Sequence, residues 1–240
     1  MIDCISVENM RQSDAYTIAN LVPSLELMYR AAYGVFKAVD WHGRTAIVAG
    51  SGNNGGDGFA LACILKAHNY DCTVFTVSQR LSADSAYYAE KAASAGVSIR
   101  PCESGCLAGY NIVVDCLLGT GFQGQLRGNY RTAIEAINAS GAYVVSVDIN
   151  SGMNGDTGDA ELAVCSDLTV TIGYVKRGLI SENAGRHMKR LVCADIGIVL
   201  VKKEWKICGD QETLEEGCFR RPAWLDMRPI QEAESGGRCI

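Results

Sequence analysis

Thr45-Ala46-Ile47-Val48-Ala49-Gly50-Ser51-Gly52-Asn53-Asn54-Gly55-Gly56-Asp57-Gly58 is the stretch on which the reading of this 240-residue chain turns. Its first five residues are apolar and partly β-branched, the composition of a buried strand. A glycine-rich turn follows, and an apolar helical stretch starts at Phe59. Strand, tight turn and helix N-terminus together leave unpaired backbone N–H groups pointing at one place, which suits an anion. The amides of Asn53–Asp57 are the expected donors. Glycines that only let the chain bend would explain Gly50 and Gly52, but not two asparagines and an aspartate in the same turn.

The same pattern recurs down the chain. Apolar β-type runs fall at 45–49, 72–77, 112–116, 143–149, 167–172 and 191–199, with helical stretches near 58–68, 82–95 and 130–139. Strands apolar on both faces and alternating with helices predict an α/β fold. The expected architecture is a three-layer αβα Rossmann-like sandwich with a mostly parallel central sheet. Two N-terminal helices precede it. Met28, Ala31, Ala32, Val35, Phe36 and Val39 give the second an apolar face, Pro23 ends the first and Ser24 can cap the second. Ligands of such sheets bind beyond the C-terminal strand ends. The loops at 50–58, 117–127 and 148–158 lie there. Residues 1–200 are expected to form this domain. Residues 201–240 lose the pattern and read as a C-terminal tail or linker.

Gly50-x-Gly52-x-x-Gly55 also matches the dinucleotide fingerprint. That fingerprint needs an acidic residue at the end of the second strand. Asp71 has the right separation but begins the strand at 72–77, which argues against an ordinary dehydrogenase. A P-loop is excluded, because no Gly-Lys-Ser/Thr follows. With a net charge of −5 and a pI near 5.3, the chain has no basic excess for nucleic-acid binding. No apolar run is long enough for a membrane span, and Met1-Ile2-Asp3-Cys4 does not open a signal peptide. A cytoplasmic protein with reduced, mostly buried thiols is expected from its eleven cysteines, Cys165 among the buried ones. Cys102 and Cys106 lack a second ligand pair for zinc. His42, His68 and His187 share no motif with a nucleophile. Lys176 reads either as a residue near the site or, at least as well, as a solvated loop lysine.

Three segments resemble, in order, the motifs of the NAD(P)H-hydrate epimerase family, the YjeF N-terminal domain. They are Asn53–Gly58, then Ile112–Arg127 with its Asp115-Cys116-Leu117-Leu118-Gly119-Thr120-Gly121, then Val145–Gly158 with its Asp148-Ile149-Asn150-Ser151-Gly152-Met153-Asn154-Gly155-Asp156. Similarity extends over roughly residues 10–199. Ala32 stands where the family pattern has glycine, and no proline follows Ile198. The resemblance implies an isomerase acting on hydrated NADH or NADPH, interconverting the R and S epimers at C6 of the nicotinamide ring. It implies substrate contacts from Asn53, Asn54, Gly55, Gly56 and Asp57, from Gly119, Thr120, Gly121, Phe122, Gln123, Gly124 and Gln125, and from Asp148. Asp148 is also the implied acid/base, although Asp before Asn-Ser-Gly equally suits a turn cap. Potassium (K+) is the implied cofactor, held by Asn54, Asp115 and Ser151 to brace the substrate loop. Neutral oxygen donors suit such an ion better than a hard divalent one. A homodimer and a partner NAD(P)H-hydrate dehydratase, in some members fused, are further implications. Arg228-Pro229 and Gly237-Arg238-Cys239-Ile240 faintly resemble the entry to such a second domain. The alternatives are a non-catalytic binding or scaffold protein on the same fold, and the N-terminal part of a bifunctional epimerase/dehydratase.

Overall fold

The computed structural model describes residues 2–122, 124–208, 217–228 and 230. In chain order its elements are β1 (Ile2–Ile5), α1 (Val7–Asn20), α2 (Ser24–Ala38), β2 (Arg44–Ala49), α3 (Asn53–Ala67), β3 (Asp71–Thr76), α4 (Ala83–Ser94) and β4 (Ser98–Pro101). There follow β5 (Ile112–Cys116), α5 (Asn129–Asn138), β6 (Tyr143–Val147), β7 (Leu168–Ile172), β8 (Val175–Lys176), β9 (Leu191–Ala194), β10 (Trp205–Cys208) and β11 (Cys218–Arg220).

Among the described residues, the main sheet runs β4-β3-β2-β5-β6-β7-β9, and every pairing in it is parallel. Its strands are apolar on both faces, as expected. Ile47 and Val114 face a core with Met28 and Val35 of α2, Phe59 and Leu65 of α3 and Tyr88 of α4. Val48 and Val113 face the other way, onto Ala133, Ile134 and Ile137 of α5. This is the α/β sandwich. The chain leaves β2 toward β3 and β4, then returns to β5 on the other side of β2. A crevice opens where strand order reverses in this way, at the C-terminal ends of β2 and β5.

Several expectations are corrected. Helix α3 begins at Asn53, not near 58, with Gly52 as its N-cap. Glycine is a poor helix former, but three glycines let this turn lie against its neighbours. A Cβ on Gly55 would overlap the Gly50 carbonyl oxygen, and one on Gly56 would come within 2.6 Å of the Met28 sulfur. Pro23, not Ser24, caps α2, and no side chain bonds its first turn. Strand β6 stops at Val147 because Asp148 adopts φ 69°. Strand β9 stops at Ala194, and the chain then turns through Gly197 at φ 83°. Cys165 is exposed.

A second sheet, β11-β10-β1-β8, has no counterpart in the sequence pattern. It pairs β1 with β8 in parallel and with β10 antiparallel, over a small core of Cys4, Ile149, Met153, Leu179 and Ile207. Part of the stretch read as a tail is thus built into the fold: β10 lies beside the first strand of the chain. Gly237–Ile240 and Pro229 lie outside the described residues.

Gly55→Ala is expected to destabilise the protein by about 1–3 kcal/mol, since added volume meets backbone rather than a flexible side chain. Urea unfolding should show a lower midpoint with an unchanged m value.

Candidate functional site

A cavity of about 570 Å³ opens at the crevice between β2 and β5. That size suits a small organic ligand. Its floor is the start of α3 and the loop after β5; its sides are α1, α2 and the ends of β6 to β8.

Asp148 lies on this cavity. Its φ of 69° is a left-handed backbone conformation that non-glycine residues rarely adopt. Such conformations persist where the surroundings over-determine them, and they cluster at functional sites. Here the surroundings are specific. The Asp148 N–H donates to the Val170 carbonyl at 2.8 Å. Its Oδ2 accepts from the Thr120 N–H at 3.2 Å, and its Oδ1 accepts from Lys176 Nζ at 2.5 Å. The loop carrying Thr120 approaches closely because Gly119 lacks a Cβ, which would lie 2.9 Å from Asp148 Oδ2.

Lys176 is not a solvated lysine. It is fully buried, and its ammonium also donates to Thr171 Oγ1 at 3.0 Å and to the Ile172 carbonyl at 2.7 Å. All three of its N–H groups are therefore used. The Asp148–Lys176 pair joins β8 of the second sheet to the end of β6. A solvated position and a buried one cannot be told apart from Val175-Lys176-Arg177 alone.

Three more carboxyls line the same space, Asp84 at its edge and two others. Asp57, from α3, and Asp14, from α1, both line the cavity. Loss of solvent raises the Asp57 carboxyl well above its usual range, and the nearby Asp148 and Asp14 charges add to this. Asp14 is raised too, by burial first and then by Asp148. Sequence reasoning missed Asp14. It stands in a helix without a motif, and only the packing of α1 brings it to residues 134 and more positions away.

The other expected site residues divide. Asn53, Asn54, Asp57, Gly119, Thr120, Gly121 and Phe122 line the cavity. Gly55 and Gly56 lie behind its wall and serve packing. Helix α3 has no side-chain cap, and its hydrogen-bond ladder starts with Gly56 N to Gly52 O at 3.2 Å. The free donors are thus the amides of Asn53–Gly55, with Gly56 and Asp57 already inside the ladder. Asn53 also accepts from Ser82 Oγ at 2.7 Å, which ties α3 to the cap of α4. Gly124 lines a neighbouring cavity with Phe122, Gln125 is exposed, and Gln123 lies outside the described residues.

Asp115 and Ser151 are buried behind the cavity wall. Asp115 accepts from Ser151 Oγ at 2.5 Å, Ser151 N at 2.9 Å, Ser146 Oγ at 2.9 Å and Leu117 N at 3.2 Å. Burial raises its carboxyl while these four bonds lower it. Asn54 differs: both its amide oxygen and its amide nitrogen are buried without a hydrogen-bond partner. A buried polar group of this kind is completed by an ordered water, an ion or a ligand.

Asp71 opens β3 at the far end of the sheet, 3.6 Å from Arg44. It cannot reach a ligand in this crevice, so the dehydrogenase reading has no acidic partner. Among the described residues no cluster of His, Cys, Asp and Glu could hold a metal ion, and no helix is long and apolar enough to cross a membrane.

Fold and site define a parallel α/β protein with a carboxylate-lined ligand cavity at its switch point. The family described as YjeF-related protein N-terminus matches residues 24–178, and the chain belongs to it. An NAD(P)H-hydrate epimerase of Limosilactobacillus fermentum is 34% identical, over 80% of this chain and 95% of its own length. One from Rhodopirellula baltica is 34% identical over 82% and 85%. A bifunctional NAD(P)H-hydrate repair enzyme of Coxiella burnetii is 33% identical, but over only 40% of its length. The crystal structure of yeast ynu0 shares the fold, with a TM-score of 0.64 and 20% identity over 74% of this chain and 83% of that one.

Lys176→Met leaves Asp148 with little solvent and no cation. It is expected to cost about 3–5 kcal/mol of stability, measurable by denaturant unfolding. Asp57 gives a pH test. Its folded-state pKa is raised, so the stability it contributes is full below its ordinary value of 3.8 and is lost as pH rises through the folded value. Asp57→Asn should therefore gain thermal stability over wild type at neutral pH, and the gain should vanish near pH 4.

Proposed function

We propose that the protein is an NAD(P)H-hydrate epimerase, an isomerase that interconverts the R and S epimers at C6 of hydrated NADH or NADPH. The observation that carries this is Asp148: a left-handed carboxylate at the switch-point cavity, clamped by Lys176 and the Thr120 amide. Relatives covering most of the chain bear this enzyme's name. A scaffold has no need of a strained, paired carboxylate inside a cavity.

In this reading the nucleotide is the substrate, not a redox cofactor. The free amides of Asn53–Gly55 at the start of α3 take a phosphate group, helped by the helix dipole. The Gly119–Phe122 loop holds the adjoining part of the nucleotide. Asp148 faces the nicotinamide ring and exchanges a proton at the C6 hydroxyl. Thr120 and Lys176 hold its two oxygens, so the carboxylate meets the ring in one orientation.

Potassium fits this site through Asn54. Its orphan amide oxygen is a free neutral donor beside the substrate loop. Asp115 supplies a buried negative charge and Ser151 a hydroxyl, although those two also satisfy one another. Bound there, the ion would brace the loop and take no part in the chemistry.

The match to bifunctional repair enzymes of Coxiella burnetii and Archaeoglobus fulgidus covers 40% and 42% of their lengths. It supports a partner NAD(P)H-hydrate dehydratase that consumes one epimer, separate or fused.

The test is epimer exchange of hydrated NADH, followed by chromatographic separation of the two forms. Wild type should equilibrate them, and Asp148→Asn should slow exchange by about 100-fold or more. Full activity in that variant would remove Asp148 from the mechanism. Potassium chloride should raise the melting temperature above that in sodium chloride for wild type but not for Asn54→Ala. Coincident wild-type curves in the two salts would dismiss the ion.

A further inference from the structure

Resting on the epimerase reading, we propose that Asp14 is the second proton-transfer carboxyl of the site, acting on the substrate from the α1 wall of the cavity while Asp148 acts from the sheet.

Inverting C6 requires one proton given and one proton taken. The C6 carbon bears both N1 and a hydroxyl. If the C6–O bond breaks, a carboxylic acid protonates the hydroxyl, the bonding pair leaves with the oxygen as water, and the N1 lone pair forms N1=C6. Water then adds to the other face of C6, the π pair returns to N1, and a carboxylate takes the surplus proton. If N1–C6 opens instead, a carboxylate takes the hydroxyl proton, C6 becomes an aldehyde carbon, and an acid protonates N1. Closure on the other face reverses these transfers. Nothing is oxidised or reduced on either route, and each needs a proton donor and a proton acceptor.

Asp148 cannot serve alone. Both of its oxygens are fixed, by Lys176 and by the Thr120 amide, so it addresses the ring from one direction. Asp14 is half-buried, lines the same cavity, and its carboxyl makes no hydrogen bond or ion pair among the described residues. It is nevertheless well placed. Helix α1 is capped by Ser6 and pinned along its length, where Val199 N donates to Thr17 Oγ1 at 3.0 Å and Asn9 Nδ2 donates to the Lys202 carbonyl at 2.7 Å. A helix held this firmly presents its one cavity carboxyl at a set place.

The charged groups around that cavity divide the two roles. Asp148 has the Lys176 ammonium against it. Asp14 shares the space with Arg11 of its own helix, Asp57 of α3, Asp84 of α4, Asp148 and Lys176. Asp14 lines the cavity with no cation against it, whereas Asp148 is paired with Lys176; burial and the Asp148 charge also make Asp14 hold its proton to higher pH than an ordinary aspartate, which suits the donor of the pair. Asp57 is raised well above its ordinary range, by burial first and then by the Asp148 and Asp14 charges.

Exchange rates of wild type, Asp14→Asn and Asp14→Glu across about pH 5–9, with melting temperatures as a fold control, decide the matter. Wild type should show an alkaline limb, because the donor must be protonated. Asp14→Asn should lose about 100-fold or more in kcat, with KM nearly unchanged, and should lose that limb. Asp14→Glu should retain a limb at a shifted position; it reads the same group independently if the amide variant fails to fold. An Asp14→Asn enzyme with the wild-type pH profile overturns the proposal, whatever its rate. A wild-type protein that exchanges no epimers overturns the epimerase reading, and this inference falls with it.

Discussion

The buried ion pair between Lys176 and Asp148 is the interaction on which the rest of the structure depends. Lys176 is the second residue of a two-residue strand in the small sheet. Asp148 is the first residue after β6 in the large one. Their contact at 2.5 Å docks the two sheets at the mouth of the cavity. A buried pair of this kind is poor evidence for net stability, because desolvation consumes most of the Coulomb gain. Its effect is positional. The three acceptors of the ammonium are all supplied by the end of β7 and by Asp148, so the carboxylate has one place to be.

Close packing at the start of α3 is the complementary constraint. The glycine turn carries two duties that the sequence presents as one. Gly55 and Gly56 allow α3 to seat against the Gly50 carbonyl and Met28. Asn53, Asn54 and Asp57 face the other way: Asn53 bonds Ser82, and Asn54 and Asp57 line the cavity. The helix N-terminus is consequently both a packing surface and a ligand surface, and the three free amides of Asn53–Gly55 lie at their junction.

The carboxyls illustrate how one fold separates chemical roles. Asp115, Asp57, Asp14 and Asp148 all lose solvent around one crevice. Asp115 is held by four hydrogen bonds and serves structure. Asp148 is paired with a cation. Asp57 and Asp14 have neither, and burial drives both upward. Environment, not residue type, sets these differences.

The sequence by itself determined the parallel sheet, the switch-point loops and the three motifs. Period and composition are local, and the residues of Asn53–Gly58, Asp115–Gly121 and Asp148–Asp156 are contiguous. It did not disclose the small sheet, whose strands β1 and β8 are four and two residues long and pair Cys4 with the distant Val175. A pattern of two to four residues has no period to read. Nor could it separate a buried Lys176 from a solvated one, or bring Asp14 to Asp148. Those are matters of where α1 and β8 pack. Only the tertiary structure decides them, because charge proximity and desolvation depend on distance in space and not on separation along the chain.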